Sequence, residues 1–484
     1  MTNIVLIVMD TARYDESFGT AAPPTIADLC DNGTKFTNAF AAAPWTLPSH
    51  ASVFSGQYPS KHGSNATAKQ FNPSAPSVIE AFDEAGHETV AVSNNTWISG
   101  EFGFDRGFDQ FRKNWQFVQA DADPVKIARE NDGIERWKEL ARHIFDGNPP
   151  LNALNALYAF FQHRHGSDDG AKRANDWVKE WLDDREESDP FFLFLNYMEP
   201  HLEYAPPQEY TEQHLPDGVT FKEAMQVEQD AFRYIAGDLE MTERDFEILR
   251  ALYRGEIAYL DEQIGNLRES LKRAGEWEDT VFVVIGDHGE NIGDHGLMDH
   301  QYCLYDTLIH VPLVIHGGAF TNGGERTDLV QLTDLAPSLL DAADIEAPEF
   351  RDRLQGQSFH PQADTDPREY VYAEYMAPQP SMDALEKRVS NPSEEVYKYD
   401  RSLRAIRGTD WKLIRGSDGT RELYQVSVDQ MEADNRSETE PEQAERLEQQ
   451  LDDWLESFTS EEDNTDADMD QNTKNRLEDL GYLQ

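Results

Sequence analysis

The sequence predicts an α/β fold: a large, mostly parallel central sheet flanked by helices, followed by a small antiparallel sheet near the C-terminus. Three observations predict it. Short β-branched runs recur along the chain, and several end abruptly on polar residues. Helical patterns lie between them. After Thr365 the pattern changes to short alternating segments separated by glycine turns. Strands that alternate with helices imply helical crossovers, and such crossovers join parallel strands.

Asn3–Met9, NIVLIVM, is continuously apolar after its first residue and stops at Asp10. A run of this kind suits a strand covered on both faces. Glu88–Ser93 (ETVAVS), Phe191–Met198 (FFLFLNYM), Thr280–Gly286 (TVFVVIG) and Val311–Ile315 (VPLVI) read the same way. The longest helical pattern runs from Thr242 to Ala274, carries Leu249, Leu252, Leu260, Ile264, Leu267 and Leu271, and should stop at Gly275. Residues 112–189 are Trp-rich and helical with Pro and Gly breaks, and are expected to form an insertion over the sheet edge. LRAIRGTDWKLIRGSDGTRELYQV supplies the antiparallel sheet, and a last helix is expected near residues 440–458. The expected organisation is therefore a main α/β domain, 1–365, and a C-terminal subdomain, 366–484.

The chain has 484 residues, enough for a large core plus a smaller unit. Asp and Glu number 92 against 42 Lys and Arg, a formal charge of −50. Such a surface repels nucleic acid and anionic lipid, which excludes both as partners. The acidic residues are spread over the whole length, as expected of a protein adapted to a salt-rich cytoplasm of the halophilic archaeal kind. Cys30 and Cys303 are the only cysteines, too few for a disulfide scaffold or a Cys-rich metal site. Ile4–Met9 is too short for a secretory h-region, and no basic segment precedes it. No run approaches the about 20 apolar residues of a membrane span. The expected location is the cytoplasm.

Ligands of parallel sheets bind beyond the carboxyl ends of the strands. Asp10, the Tyr197–His201 stretch and Asp287 all fall at such ends. In VVIGDHGENIGDHG, a buried strand delivers Asp287, His288 and Glu290 into a glycine-rich turn. Asp with His suits a hard or borderline divalent ion. A second chemical candidate is Thr46 in APWTLPSHASVFSGQYPSKHG, set just ahead of Pro48 and Ser49 at what reads as a helix start. It is either an N-cap or a nucleophile, and one residue can serve as both. A threonine hydroxyl needs help at neutral pH, which a metal ion and a helix N-terminus can give.

With these segments in view, the chain resembles the sulfatase family of the alkaline phosphatase superfamily. NIVLIVMDTARYDESFG resembles that family's first metal segment, and TLPSHASVFSGQYPSKHG its Cys/Ser-x-Pro-Ser-Arg signature. FFLFLNYMEPHLEYAPP, GDHGENIGDHGL, LYDTLIHVPLVIHGG, RAIRGTDWKLI and ELYQVSVDQMEADN follow in the family's order. The resemblance implies the alkaline-phosphatase-like fold and one divalent ion, Ca²⁺ by first choice with Mn²⁺ or Mg²⁺ as alternatives. Its ligands would be Asp10, Asp287, His288 and the oxygen of Thr46. It further implies Arg13 near the ion as a substrate contact, His201 as general acid and base, His300 against the transferred group, and His50 orienting Thr46 or binding the anion. A second ion would need another set of ligands, of which Glu199 and His201 supply only part, so a single ion is expected.

The chain also departs from the family pattern. Thr46 stands where the family has the Cys or Ser that becomes formylglycine, His50 where it has Arg, and His300 where it has Lys. Asp10-Thr11 replaces an Asp pair, and Asp287-His288 replaces Asp-Asn, closer to the phosphonate monoester hydrolase branch. The expected function is a sulfatase-like hydrolase of sulfated small molecules or glycans, with an unmodified Thr nucleophile. The alternatives are a phosphodiesterase, phosphonate monoester hydrolase or phosphotransferase acting on phosphorylated counterparts, and a non-catalytic glycan-binding module. The sequence does not define the oligomeric state.

The charge alone generates a test. Near molar salt the Debye length falls to about 3 Å and self-repulsion is screened. The melting temperature should therefore rise steadily between about 0.1 M and about 3 M KCl, and a salt-independent value would contradict the halophilic reading.

Overall fold

The computed structural model describes residues 2–19, 22–115, 170–185, 189–389 and 392–457. Eight strands form the central sheet: β1 (Asn3–Met9), β2 (Thr34–Phe36), β3 (Glu88–Ser93), β4 (Gln110–Lys113), β5 (Phe191–Tyr197), β6 (Thr280–Gly286), β7 (Leu313–His316) and β8 (Gly324–Arg326). Their spatial order is β8-β2-β7-β6-β1-β5-β3-β4. Every pairing is parallel except those of β7, which runs antiparallel to both β6 and β2. The VPLVI run is thus a strand of reversed direction, starting two residues later than its sequence suggests because Val311 and Pro312 precede the ladder.

The apolar strands are apolar because both faces are covered. Every residue of β1, β5 and β6 is buried. Ile4, Leu6 and Val8 join one core with Phe192, Phe194, Val283 and Ile285. Val5, Ile7 and Met9 join the opposite core with Leu193, Leu195, Phe282 and Val284. The two-residue period of a strand accounts for this division.

Helix α1 (Thr46–Ser55) is buried along its whole length. Helix α2 (Ala171–Asp184) lays Ala174, Val178, Trp181 and Leu182 in the same core as Val5 and Ile7. It is a covering helix of the sheet, so this part of the segment expected to lie over the sheet edge belongs to the α/β layer instead. Residues 116–169 of that segment lie outside the described residues. Helix α3 (Glu243–Ala274) opens with a capping box, Thr242 and Asp245 bonding each other's backbone N–H, and closes at Gly275 with φ +81°.

Beyond residue 370, β9 (Val371–Tyr375), β10 (Leu403–Arg407), β11 (Lys412–Gly416) and β12 (Arg421–Tyr424) form a consecutive antiparallel sheet. Helix α4 (Pro441–Glu456) covers one face of it through Ala444, Leu447 and Leu451 packed on Ile406, Leu413 and Leu423. Lys412, fully buried, reaches Asp306 and Glu432 at 2.7 Å each and ties this sheet to the segment before β7. The last expected segment, NRLEDLGYLQ, lies outside the described residues.

Candidate active site

The register of the central strands builds the site. Met9 pairs with Tyr197 on one side and with Gly286 on the other. The residues that follow Met9 and Gly286, Asp10 and Asp287, therefore leave adjacent strands at the same level. Both are fully buried. Each carboxylate has one oxygen engaged and one left over. Asp10 Oδ2 accepts from Asn95 Nδ2 at 2.6 Å and Asn196 Nδ2 at 3.4 Å. Asp287 Oδ1 accepts from the backbone N–H groups of Thr11 and His288, at 3.2 and 3.0 Å. Asp10 Oδ1 and Asp287 Oδ2 have no hydrogen-bond partner. Buried oxygens without partners are costly unless something else compensates them.

His288 completes the set. Its Nδ1 donates to the carbonyl of Gly289 at 2.9 Å, because a carbonyl can only accept. In the neutral ring this fixes the tautomer and leaves a lone pair on Nε2. Burial, then the neighbouring His300, holds its pKa well below the ordinary value, so the ring is neutral. Nε2 lies 3.4 Å from Asp287 Oδ2, 3.9 Å from Asp10 Oδ1 and 3.3 Å from Thr46 Oγ1. Donor atoms about 2.0–2.2 Å from a shared cation lie roughly 3–3.5 Å apart, so the spacing fits one ion with small adjustments. Burial, then the charge of Asp10, pushes the Asp287 carboxyl well above the usual range. A divalent ion would offset that repulsion directly.

Thr46 is the first helical residue of α1, and the N-cap is Trp45, so the N-cap reading of Thr46 does not hold. Its hydroxyl faces His288 Nε2 instead. Two contacts fix the helix there. Ser49 Oγ donates to Asp287 O at 2.6 Å, and His50 Nδ1 donates to Thr46 O at 2.9 Å. His50 packs edge-on against Phe104 and Phe194, and burial pushes its pKa down to about 4. A neutral, ring-packed His50 suits the orienting role and not anion binding.

His201 and His300 lie alongside. The ring of His300 is 4.6 Å from that of His288 and 5.2 Å from that of His201, centroid to centroid. His201 Nδ1 faces Leu202 O, and burial lowers its pKa despite the pull of Asp10. Burial opposes a charge on His300, yet Asp299 and Glu290 together hold its pKa well above the ordinary value. Arg13 is elsewhere engaged. Its Nε and Nη2 donate to Asp15, and its Nη1 to Asp294 and to Glu290 O. These bonds use four of the five guanidinium N–H groups, so Arg13 chiefly braces the loop and at most one Nη2 N–H is left for the expected substrate contact.

Several residues of the site were not singled out from the sequence. Asn95 and Asn196 orient Asp10, and the signal for Asn196 is an Asn within an otherwise apolar strand. Tyr253 of α3 donates to Thr11 O at 2.7 Å and accepts from Arg13 N at 2.8 Å. It thereby secures Thr11 at φ +61°, a conformation that β-branched residues rarely adopt. Asp299, also not singled out, flanks His300 together with Glu290, which the sequence had placed in the glycine-rich turn.

Residues 2–345 match the family described as Sulfatase. The chain belongs to the sulfatase family. Residues 293–461 match the description N-sulphoglucosamine sulphohydrolase, C-terminal. The chain is 22% identical over 401 residues to an arylsulfatase of Clostridium perfringens, covering 77% of this chain and 81% of that one. It is 24% identical over 444 residues to a choline-sulfatase of Rhizobium meliloti, covering 86% and 77%. The phosphonate monoester hydrolase of Agrobacterium radiobacter has a similar fold, with a TM-score of 0.68, 19% identity and coverage of 94% and 96%. This sulfatase-family chain is accordingly a hydrolase with the α/β fold of its relatives, and Asp10, Asp287 and His288 form a candidate cluster in a metal-dependent family. Among the described residues no helix is long and apolar enough to cross a membrane.

Removing divalent ions should leave Asp10 and Asp287 uncompensated and lower the melting temperature. Adding an ion back at about 100 times its Kd should restore about 2.7 kcal/mol. A melting temperature indifferent to chelator would argue against a cation at this cluster.

Proposed function

We propose that the protein hydrolyses sulfate esters through the unmodified hydroxyl of Thr46. The observation that carries this reading is Thr46 Oγ1 standing 3.3 Å from His288 Nε2, beside the unpartnered oxygens of Asp10 and Asp287 and at the N-terminus of a ten-residue helix. Asp10, Asp287, His288 and Thr46 would hold one divalent ion, which when bound favours the ionised hydroxyl and offsets charge on the transferring group. The nitrogen donor of His288 suits Mn²⁺ better than Ca²⁺, which takes oxygen shells.

Thr46 Oγ1 forms a bond to sulfur while the bond from sulfur to the leaving oxygen breaks. His201, neutral with Nδ1 facing Leu202 O, takes the Thr46 hydroxyl proton on Nε2 and gives it to that leaving oxygen, then takes one from the water that attacks sulfur and returns it to Thr46 as the ester opens. The helix N-terminus stabilises the non-bridging oxygens, and His300, held charged by Asp299 and Glu290, sits against them. His50 and Ser49 keep Thr46 in place. The curated relatives named arylsulfatase and choline-sulfatase support a sulfated small molecule as substrate, and a sulfated glycan is the other class considered. The spread of acidic residues supports a salt-rich working environment.

A second reading is supported by Thr46 itself. Threonine offers one hydroxyl, so its covalent ester must be opened by water or another acceptor at sulfur or phosphorus. That requirement is met equally by phosphate diesters and phosphonate monoesters.

The test compares aryl sulfate with an aryl phosphate diester in molar KCl with added Mn²⁺ or Ca²⁺. Thr46→Ala should lower kcat by roughly a thousandfold or more, as loss of a nucleophile does, while fold and ion binding persist. Mass spectrometry under turnover should find a sulfated Thr46. Unchanged activity in Thr46→Ala would end the nucleophile assignment. Turnover of the phosphate diester alone would favour the second reading, and turnover of neither by the wild-type chain would leave a binding module.

A further inference from the structure

We propose that a second divalent cation binds between Glu290, Asp299 and His300, beside the Asp10–Asp287–His288 cluster. One oxygen from each acid and one ring nitrogen of His300 lie within 4.8 Å of one another. Two carboxylates with an imidazole make a mixed oxygen and nitrogen set of the kind that Mn²⁺ or Zn²⁺ takes.

The cluster is more than three acid-base groups in proximity. Glu290 is fully buried, and neither of its carboxylate oxygens has a hydrogen-bond partner. His300 Nδ1 stands 3.6 Å from Oε1, beyond hydrogen-bond reach and close to the separation of two ligands around one ion. Burying an unbonded carboxylate is expensive unless a charge partner joins it. Asp299 is 5% exposed and its position is fixed by three contacts. Oδ1 accepts from the His300 backbone N–H at 2.6 Å and faces His300 Nδ1 at 2.6 Å, while Oδ2 accepts from Gln301 Nε2 at 2.6 Å.

The loop that carries these residues is bent to do so. Asp299 and Tyr302 adopt φ +72° and +66°, conformations uncommon outside glycine. Asn291 Nδ2, one residue after Glu290, donates to Asp299 O at 3.1 Å and ties the two sides of the cluster together. The cation would take the place of the proton that His300 Nδ1 holds between the two carboxylates, and that proton would pass to solvent; the Nε2 N–H of His300 would remain for the transferring group, with the positive charge beside it supplied by the cation. His300 Nδ1 and Asp299 Oδ1 would separate slightly to become ligands of the same ion. Because the rings of His288 and His300 are 4.6 Å apart, the two cations would be neighbours.

The site can be tested by counting ions. The whole chain is stripped with chelator, equilibrated with Mn²⁺ in molar KCl to suppress binding at the exposed acidic surface, dialysed and analysed for manganese. The expected result is two ions per chain in the wild type, one in Glu290→Gln and one in Asp287→Asn. One ion that is lost in Asp287→Asn and kept in Glu290→Gln would overturn the second site alone. One ion with the opposite pattern would support the second site and remove the first. A count that Glu290→Gln leaves unchanged would also overturn it. Should Glu290→Gln not fold, Asp299→Asn replaces it, and the wild type is read by electron paramagnetic resonance with two equivalents of Mn²⁺. A spin-coupled pair is expected there, and a spectrum of isolated ions only would overturn the proposal.

Discussion

Two carboxylates are forced together at the end of two adjacent buried strands, and the site is organised around that constraint. The parallel register that pairs Met9 with Gly286 sets Asp10 beside Asp287 before any side-chain choice is made. Neither can move away, because each has one oxygen secured by neighbours. Like charges in a dry setting raise each other's cost, and Asp287 shows it in a carboxyl pushed well above its usual range. A cation would resolve the conflict, and the tautomer of His288 turns its free lone pair to the place where that cation would sit.

The nucleophile proposed at Thr46 depends on the same constraint. Helix α1 is seated by Ser49 on the carbonyl of Asp287 and by His50 on the carbonyl of Thr46. The loop that presents one carboxylate thus also positions the hydroxyl. On the other side Tyr253 and Arg13 secure the turn after Asp10 and the loop around Glu290 and Asp294. Long-range contacts of this kind place groups from distant parts of the chain within a few ångströms of one another.

Much of the fold was legible in the sequence because its central strands are buried on both faces, and continuous apolar runs such as TVFVVIG admit few other readings. Helix α3 was legible because its leucines recur at helical spacing and a terminal glycine stops it. The reversal of β7 was not legible, since direction in a sheet is set by how the chain returns and not by composition. Asp10, Asp287 and His288 were legible as strand-end polar groups, and Thr46 from its place before Pro48. The bracing part of Arg13 was not legible because its partners, Asp15 and Asp294, are one near in sequence and one far, and only geometry shows that they engage most of its guanidinium. Asn95 and Asp299 act through side-chain hydrogen bonds and ion pairs that no local pattern announces.

Anomalous diffraction from crystals grown with Mn²⁺ tests the central claim most directly. The account predicts an anomalous peak bonded to Asp10 Oδ1, Asp287 Oδ2 and His288 Nε2, with Thr46 Oγ1 in or next to its coordination shell. Density for an ion held elsewhere, or Asp10 and Asp287 bridged by a proton at full Mn²⁺ occupancy of other sites, would contradict it.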